Sequence, residues 1–402
     1  MKILLVSLNH SPEKIGIGKF QGEMSAWLVS RGHEVRVVTA PPYYPEWKVS
    51  PGYSAWRYMR EELDGARVYR VPLYVPATPS GLKRIIHLIT FALTATPVIL
   101  LQALFWRPHT IITTAPPLSV APVVIAASWL CGAHSQLHVQ DFEVEAAFQL
   151  GMLKRPMLYR MALKMERVLL RSFSKVSTIS RRMRDRLVAK GVAKERTVLF
   201  PNWAGTEDFD PQHGPGQWRE RLGIDSKTVI ALYSGNVGRK QGLEAVVQAA
   251  RVLQDTPHIR FVICGDGAAR KELMESAEGL KNIQFLPVQP LDEFTHLMIA
   301  ADIHLMPQRA EAADLVMPSK LGNILASARP VVAGATPGTQ IYDAVQGCGI
   351  AVEPDNAMQF AQAVLKLAND ITLRAGMGKA ARRKALEEYS RDGILGRMAA
   401  SL

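Results

Sequence analysis

The chain has 402 residues, of which 48% are hydrophobic and 21% are charged. This length exceeds one ordinary domain and predicts two, and the balanced composition excludes a mainly disordered chain. The formal net charge of +12 favours anionic partners, which include nucleic acid, anionic lipid and phosphorylated substrates, without choosing among them.

The chain begins MKILLVSLNH, in which one lysine precedes an apolar run of about six residues, too short for the apolar part of a secretory signal. We predict a buried first strand there. Cys131, Cys264 and Cys348 lie far apart without a CxxC spacing, which favours a reducing compartment over a zinc site or a disulfide framework. These features predict a cytoplasmic protein.

Both halves of the chain alternate short apolar strands with amphipathic helical stretches, the pattern of parallel sheets with crossover helices. The predicted strands are residues 3–8, 34–39, 110–113, 135–139, 175–179 and 197–200, and then 229–234, 259–264, 283–286, 303–306 and 331–333. Predicted helices occupy residues 18–31, 118–130 and 157–171, begin near Gln241, Ala269, Leu291 and Ser319, and number two or three after Asn356.

This alternation predicts an α/β fold of two Rossmann-like, doubly wound domains. The stretch from Pro201 to Gly216 lacks periodicity and is crowded with proline, glycine and acidic residues, so it marks a linker. We assign residues 1–203 and 204–384 to the two domains, and 385–402 to a helix that packs back on the first. Because ligands of such sheets bind beyond the carboxyl ends of the strands, we expect a site in a cleft between the domains.

The segment 85–106 is apolar and long enough to span a bilayer. It contains His87, Pro97 and Gln102 and leads directly into a predicted strand, so we favour a buried or interfacial helix. Shallow membrane insertion and a true span are the alternatives.

Basic residues cluster at three places, each equally explained as a solvated helix face: Lys83 with Arg84, residues 181–186, and residues 382–384. Interleaved aromatic residues and the motifs of nucleic-acid modules are absent, which disfavours a nucleic-acid role. We therefore favour contact with an anionic membrane surface.

Gly16, Gly18 and Gly22 form a GxGxxxG spacing where a helix is predicted to begin. The glycines do not follow the first strand at once, and the second strand does not end in an acidic residue, so a nicotinamide dinucleotide site is disfavoured. The backbone amides of the loop suit an anionic group, and a tight turn without a ligand is the alternative.

In the stretch 233–246, a strand runs into a glycine turn and then into Arg239 and Lys240. Two cations and free amides at a helix start would clamp a diphosphate, whereas a basic surface turn is the alternative.

The next strand ends in Gly265, Asp266 and Gly267, where glycine permits the close approach of a ligand, although plain turn chemistry explains the pattern equally well.

The stretch 313–333 places Ser319 and Lys320 at a helix start, with Asn323 one turn later and Asp314 upstream. A hydroxyl cap and a lysine are what an anion-binding helix terminus requires, and an ordinary capped helix is the alternative. The carboxylate of Asp314 is suited to holding sugar hydroxyls.

His138 and Asp141 follow a predicted strand end, where they could orient an acceptor or transfer a proton; a structural histidine is the alternative.

Asp208 and Asp210 spell a DxD, but they lie in the linker, and we predict no metal site there.

Together these motifs resemble the retaining family-four glycosyltransferases, most closely the bacterial exopolysaccharide transferases of the colanic acid fucosyltransferase type. The resemblance covers nearly the whole chain and rests on the stretches GIGK, RGHEVRVVTAPPYYPEW, SAWRYMREE, LYVP, HVQDFEVEA, VSTISR, FPNWA, SGNVGRKQGLE, CGDG and DLVMPSKLGNILASARPVVA. It implies the GT-B architecture, no metal or other cofactor, and a nucleotide bound in the second domain.

The resemblance also implies roles for individual residues. Arg239, Lys240, Ser319 and Lys320 would stabilise the leaving diphosphate, and the first domain would hold the acceptor through Gly16, Gly18, His138 and Asp141. The nucleoside and donor sugar would contact the residues Gly235, Asn236, Gly265, Asp266, Gly267, Asp314 and Asn323.

Two departures from the family pattern concern the donor site. Asn323 stands where the family places the second of two glutamates, and Asp314 lies near the position of the first. Asn236 and Gln241 occupy the register of the usual Arg and Lys clamp, with Arg239 and Lys240 between them.

The sequence therefore predicts a glycosyltransferase that moves a sugar to a lipid-diphosphate-linked oligosaccharide at the membrane, and the expected donor is GDP-fucose. The alternatives are a nucleotide-sugar epimerase or hydrolase of the same fold, and a basic nucleic-acid-binding protein.

Overall fold

The computed structural model describes residues 1–149, 156–209, 214, 216–309 and 320–401. The chain divides into two compact units, each with its own sheet. Unit 1 comprises residues 1–201 with 395–402, and unit 2 comprises residues 202–394. The chain thus crosses from unit 1 to unit 2 and returns, and the first crossing lies close to the boundary predicted at 203/204.

Unit 1 contains an eight-stranded sheet in the order β3-β4-β2-β1-β5-β6-β7-β8, parallel except for the β3–β4 pair. The central strands are almost entirely buried, as expected for a sheet covered on both faces. The strands are β1 (Lys2–Val6), β2 (Glu34–Thr39), β3 (Met59–Leu63), β4 (Ala66–Arg70), β5 (Thr110–Ala115), β6 (His134–Val139), β7 (Lys175–Thr178) and β8 (Thr197–Leu199).

Helices connect these strands and cover the sheet. They are α1 (Gly16–Ser30), α2 (Gly81–Leu101, continued by a π-helical turn over Gln102–Trp106), α3 (Ala121–Cys131), α4 (Glu143–Gln149), α5 (Pro156–Ser172) and α6 (Arg181–Ala189). The crossovers through α2, α3 and α5 all advance toward β8, whereas α1 leads back from β1 to β2. Because such crossovers are right-handed, α2, α3 and α5 lie on one face of the sheet and α1 on the other.

The β3–β4 hairpin is an element that the sequence analysis missed. Asp64 and Gly65 join the two strands, with φ values of 49° and 77°. An Asp-Gly pair with positive φ at both residues is the preferred two-residue hairpin turn.

Unit 2 contains a six-stranded, fully parallel sheet in the order β11-β10-β9-β12-β13-β14. Its strands are β9 (Val229–Ser234), β10 (Ile259–Cys264), β11 (Ile283–Leu286), β12 (Ile303–Met306), β13 (Val331–Gly334) and β14 (Gly349–Val352). Its helices are α7 (Trp218–Arg221), α8 (Glu244–Val252), α9 (Arg270–Ser276), α10 (Leu291–Ala300), α11 (Lys320–Ala326), α12 (Gln340–Val345), α13 (Ala357–Asn369) and α14 (Ile371–Lys384), and α15 (Arg391–Ala399) follows.

The predicted strands are all present, most within two residues of the predicted bounds, and two parallel sheets confirm the predicted α/β class of two Rossmann-like domains. Three helices follow Asn356, as predicted. The sequence analysis missed β14 in addition to the hairpin. The four residues of β14 include no charged residue. A glycine-rich turn precedes them, however, and so short a strand beside a turn is difficult to recognise in the sequence.

The apolar segment predicted at residues 85–106 forms part of a continuous helix, Gly81–Trp106, of 26 residues. Within the described residues it is the one helix that is long and apolar enough to cross a membrane, by length and composition. Only 28% of its most apolar window is buried. The helix therefore buries one face in unit 1 and leaves the other exposed.

Candidate functional site

The candidate site lies in unit 2, where the chain order of the sheet reverses. The chain adds β10 and then β11 on one side of β9, and adds β12, β13 and β14 in turn on the other side. Ligands of doubly wound sheets bind beyond the carboxyl ends of the strands at such a reversal. The loops after β9 and β10 and the start of α11 all lie at this edge.

Two glycine loops are joined here by backbone hydrogen bonds. The amide of Val237 donates to the carbonyl of Asp266 at 2.8 Å, and the amide of Ala269 donates to the carbonyl of Val237 at 3.0 Å. A Cβ at Gly265 would lie 1.8 Å from the carbonyl oxygen of Gly235, and one at Gly267 would lie 2.4 Å from that of Val237. Both glycines are therefore required for the loops to approach each other.

We call the paired segments 235–237 and 265–267 the glycine seam. Gly235, Asn236 and Asp266 are exposed on it, so backbone and side-chain polar groups remain accessible. One carboxylate oxygen of Asp266 accepts from the amide of Gly267 at 2.8 Å, which fixes the orientation of that side chain. The structure thus brings together five of the residues predicted to contact the donor.

Lys320 begins α11 and reaches the same edge of the sheet. Its Nζ lies 4.2 Å from the centre of the Tyr233 ring, at the end of β9, in a cation–π contact. The Tyr233 hydroxyl donates to the carbonyl of Asn236 at 2.7 Å, so the ring is held beneath the glycine seam. Burial lowers the pKa of Lys320 to about 7. A bound anion would restore the proton, because an opposite charge favours the ammonium form.

Arginines surround the seam, including two that the sequence analysis did not single out. Arg270 Nε donates to the carbonyl of Gly265 at 3.1 Å, and Arg309 Nε donates to the carbonyl of Arg239 at 2.7 Å. Arg239 itself is exposed and pairs with Glu272 at 2.7 Å. Exposed ion pairs of this kind contribute roughly 0–1 kcal/mol, so a diphosphate could recruit Arg239 at little cost.

Arg309 could have been found only with difficulty from the sequence. It follows β12 by three residues, and its position beside Arg239 depends on the neighbouring β9–β12 pairing. Arg270 stands in the GDGAARKEL stretch, directly after the predicted glycine turn. A basic residue at the helix start after a glycine turn was the available signal.

Several predicted residues lie partly or wholly outside the described residues. Asp314 and Ser319 fall in the segment 310–319, and only the backbone of Lys240 is described. Asn323 is half-buried on α11, one turn after Lys320. The amide oxygen of Gln241 is buried and has no hydrogen-bond partner among the described residues.

In unit 1 the glycines of the predicted amide loop pack against side chains. Gly16 begins α1 with a φ of +60°, which favours glycine. A Cβ at Gly18 would lie 2.4 Å from Oε2 of Glu13, and one at Gly22 would lie 1.8 Å from Oγ of Ser11. These contacts favour the alternative in which the spacing serves a tight turn, and a ligand-binding role for Gly16 and Gly18 stays a prediction.

Glu13 anchors that turn. One of its carboxylate oxygens accepts from the amides of Tyr43 and Tyr44, each at 3.0 Å, and the other accepts from Asn9 at 2.9 Å. Burial raises the pKa of Glu13. The carboxylate therefore ties the loop after β1 to the loop after β2.

His138 is buried within unit 1, with both ring nitrogens in polar contacts. Nδ1 lies 3.0 Å from the Ser177 hydroxyl, and Nε2 lies 2.8 Å from the Gln140 amide. The ring packs edge-on against Phe200, and burial lowers the pKa of His138 to about 3. These contacts favour a structural role, and proton transfer by His138 stays a prediction.

Asp141 differs from His138 because its side chain is exposed at the carboxyl end of β6. The two glutamates that follow it have partners within unit 1. Glu143 accepts from the amide of Leu118 at 2.6 Å, and Glu145 pairs with Lys190 at 2.9 Å. Of these three acidic residues, Asp141 is thus the exposed one, and its contact with an acceptor stays a prediction.

No group of three or more His, Cys, Asp or Glu side chains that could hold a metal ion occurs within the described residues. Asp208 is exposed, and its predicted partner Asp210 lies outside the described residues. The absence of a metal requirement stays a prediction.

Comparisons with known proteins show the family to which the chain belongs. Residues 16–203 match the family described as glycosyl transferase 4-like domain, and residues 216–384 match the glycosyl transferases group 1. The chain is 45% identical, over 89% of either sequence, to WcaI of Escherichia coli (strain K12). That protein is named as a colanic acid biosynthesis glycosyl transferase, with the name marking the assignment as unproven.

Two solved structures share the fold. Sucrose-phosphate synthase from Thermosynechococcus elongatus has a TM-score of 0.71 at 17% identity, covering 100% of this chain and 98% of its own. HepE of Anabaena, in complex with UDP, has a TM-score of 0.69 at 15% identity, covering 100% and 99%. At these identities the likeness establishes the fold alone.

Replacing Lys320 by Met should stabilise the ligand-free protein and weaken diphosphate binding. Because burial lowers the pKa of Lys320 from 10.5 to about 7, its contribution to stability worsens as the pH falls from 10.5 to 7 and stays constant below that. A shift of this size corresponds to roughly 5 kcal/mol at most. Because the Lys320 side chain is only half-buried, we expect a smaller gain of roughly 1–2 kcal/mol at neutral pH, which disappears at strongly alkaline pH. Denaturant titrations across this pH range measure it.

Lys379→Met provides the matched control, since Lys379 is exposed on α14 of the same unit. An equal gain in both variants would contradict the assignment of a desolvated ammonium at Lys320.

Replacing Gly18 by Ala should destabilise unit 1 by roughly 1–3 kcal/mol, because the new Cβ collides with the anchored Glu13 carboxylate. Gly396→Ala is the control, since Gly396 lies on α15 in the same unit with open space around it. That control should be neutral or stabilising. The denaturation midpoints of both variants measure this difference. Equal midpoints for Gly18→Ala and Gly396→Ala would contradict the packing role of Gly18.

Replacing His138 by Gln should reduce the loss of stability on acidification. The unfolded chain takes up a proton near pH 6.5 whereas the folded chain does so near pH 3, so His138 costs about 1.4 kcal/mol per pH unit between these values. Unfolding free energies from pH 7.5 to pH 5 measure this slope. His134→Gln, at an exposed position on the same strand, should leave the slope almost unchanged.

Proposed function

The chain belongs to the glycosyltransferases that combine a glycosyl transferase 4-like domain with a group 1 domain, and on this premise we propose that unit 2 binds a nucleotide diphosphate sugar. The observation that carries the proposal is the position of the Lys320 ammonium over Tyr233, beside the glycine seam. A cation and accessible backbone at one sheet edge suit a diphosphate.

The charge of the site supports a specific chemical role. When the bond between the sugar and the diphosphate breaks, negative charge develops on the departing phosphate. Lys320, Arg239 and Lys240 would stabilise that charge, together with Ser319 at the start of α11. Preorganised cations in a partly buried site act more strongly than they would in water.

The reaction we propose retains the configuration at the sugar's anomeric carbon. The acceptor hydroxyl would attack on the side from which the diphosphate leaves, and its proton would pass to the leaving phosphate oxygen. This mechanism needs no enzymic nucleophile and, as we propose, no metal ion. Asp266, Asp314 and Asn323 would hold the nucleoside and the donor sugar.

For the donor and acceptor we propose GDP-fucose and a lipid-diphosphate-linked oligosaccharide used in exopolysaccharide assembly at the cytoplasmic face of the membrane. The 45% identical relative, named for colanic acid biosynthesis, supports the exopolysaccharide setting. Asp141 supports an acceptor site in unit 1, because its carboxylate is exposed beyond a strand end.

Thermal-shift measurements against a panel of nucleotide sugars test the donor. A ligand that binds only the folded state raises the unfolding temperature, so GDP-fucose should give the largest shift and GDP a smaller one. Lys320→Ala should reduce the shift and lower transfer by at least about a hundredfold. Lys379→Ala should retain both.

The same protein, incubated with donor and with or without an extracted lipid-linked acceptor, separates transfer from the rival activities. Donor consumption that requires acceptor, and persists in EDTA, is the expected result. Rapid consumption without acceptor would instead indicate a hydrolase or epimerase. Salt-dependent duplex binding without any nucleotide-sugar shift would indicate a nucleic-acid-binding protein.

A further inference from the structure

The outer face of α2 is apolar along most of its length. The exposed large apolar side chains recur along the helix and are Leu82, Ile86, Ile89, Leu93, Leu101, Leu104 and Phe105. Leu93 and Phe105 are 69% and 81% exposed. No charged residue occurs between residues 85 and 106. A stripe of about 35 Å, at 1.5 Å per residue, therefore faces outward, and its charged residues, Lys83 and Arg84, are confined to one end.

The opposite face of α2 is fixed to unit 1. Phe91, Ala95 and Ile99 are fully buried in its core. The Tyr58 hydroxyl donates to the carbonyl of Thr94 at 3.0 Å, and Arg36 donates to the Gln102 side chain at 2.8 Å. A transmembrane position would break these contacts, so only the outer face of α2 is available to meet lipid.

The neighbouring helices extend this surface. The helix α3 packs against both α2 and α5 on the same side of the sheet, and its Trp129 is 76% exposed. On α5 the exposed apolar residues Met157, Met161, Met165 and Val168 lie three or four positions apart. We call the exposed side chains of α2, α3 and α5 the docking face.

The exposed charged residues of α2, α3 and α5 have one sign. Lys83 and Arg107 are exposed at the two ends of α2. On α5 the exposed charged residues are Arg160, Lys164, Arg167 and Arg171, whereas its one acid, Glu166, is buried against Lys190. Apolar stripes flanked by cations are typical of helices that lie in the interface of an anionic bilayer.

We propose that unit 1 binds the surface of an anionic membrane through the docking face, with α2 lying in the plane of the bilayer. The apolar stripe enters the boundary between headgroups and acyl chains, and the cations at its ends and on α5 contact lipid phosphates. This proposal rests on the proposed function, because the docking face would bring unit 1 to the membrane that holds a lipid-linked acceptor. Its test needs no sugar transfer, so the two proposals fail separately.

Flotation of the purified full chain with vesicles tests this inference. Binding to phosphatidylcholine vesicles containing a quarter phosphatidylglycerol should exceed binding to phosphatidylcholine alone by at least about tenfold, and should weaken in high salt. The double variant Ile89→Glu with Leu93→Glu should bind at least about tenfold more weakly. Arg160→Glu with Lys164→Glu should lose the preference for anionic vesicles.

Val288→Glu with Met358→Glu is the matched control, because both side chains are exposed apolar residues of unit 2, at 67% and 53%. The control should bind like the wild type, and thermal unfolding checks that every variant is folded. Binding equal to wild type by the α2 variant would overturn the proposal. Resistance of bound protein to alkaline extraction would overturn the in-plane position.

The oligomeric state, measured by sedimentation in the absence of vesicles, gives the remaining outcome. A monomer that floats with anionic vesicles supports membrane docking. A dimer that the α2 variant dissociates, with no vesicle binding by the wild type, would overturn the proposal and assign the docking face to a second copy of the chain.

Discussion

The candidate site depends on how closely two backbone loops approach each other. The loops after β9 and β10 share hydrogen bonds through Val237, and side chains at Gly265 or Gly267 would push them apart. This contact places the Tyr233 hydroxyl under the carbonyl of Asn236 and thus holds the ring on which the Lys320 ammonium lies. Burial of the Lys320 ammonium destabilises the ligand-free protein and lowers the pKa of Lys320. A bound anion would offset that destabilisation.

Much of the fold follows from the sequence because buried parallel strands are short, continuous apolar runs. β9, β10 and β12 have the predicted bounds for this reason. The β3–β4 hairpin was missed although Asp64 and Gly65 form a recognisable turn, since β3, MREEL, is mostly polar and forms the edge of the sheet, and β4, ARVYR, is broken by two arginines. An edge strand needs less apolar surface than a central one, so hydrophobicity alone underestimates it.

The candidate site was predictable where its chemistry coincides with a local pattern. Gly265, Gly267 and Lys320 belong to turns and helix starts that the sequence marks directly. The surroundings of His138 and Gly18 were not readable in this way, because Ser177 and Glu13 reach them only through the tertiary fold. Arg309 comes beside Arg239 through strand pairing between distant segments. Sequence patterns therefore located the groups of the candidate site better than their supporting contacts.

The division of the chain has a consequence for biosynthesis. Unit 1 includes residues 395–402, of which Leu395 and Met398 are buried, and Lys175 on β7 donates to the carbonyl of Ser401. A ribosome makes these residues only after the whole of unit 2. While the second unit is translated, the nascent first unit therefore lacks the contact between β7 and the last residues of the chain. A fragment ending at Pro201 would lack the same contact permanently.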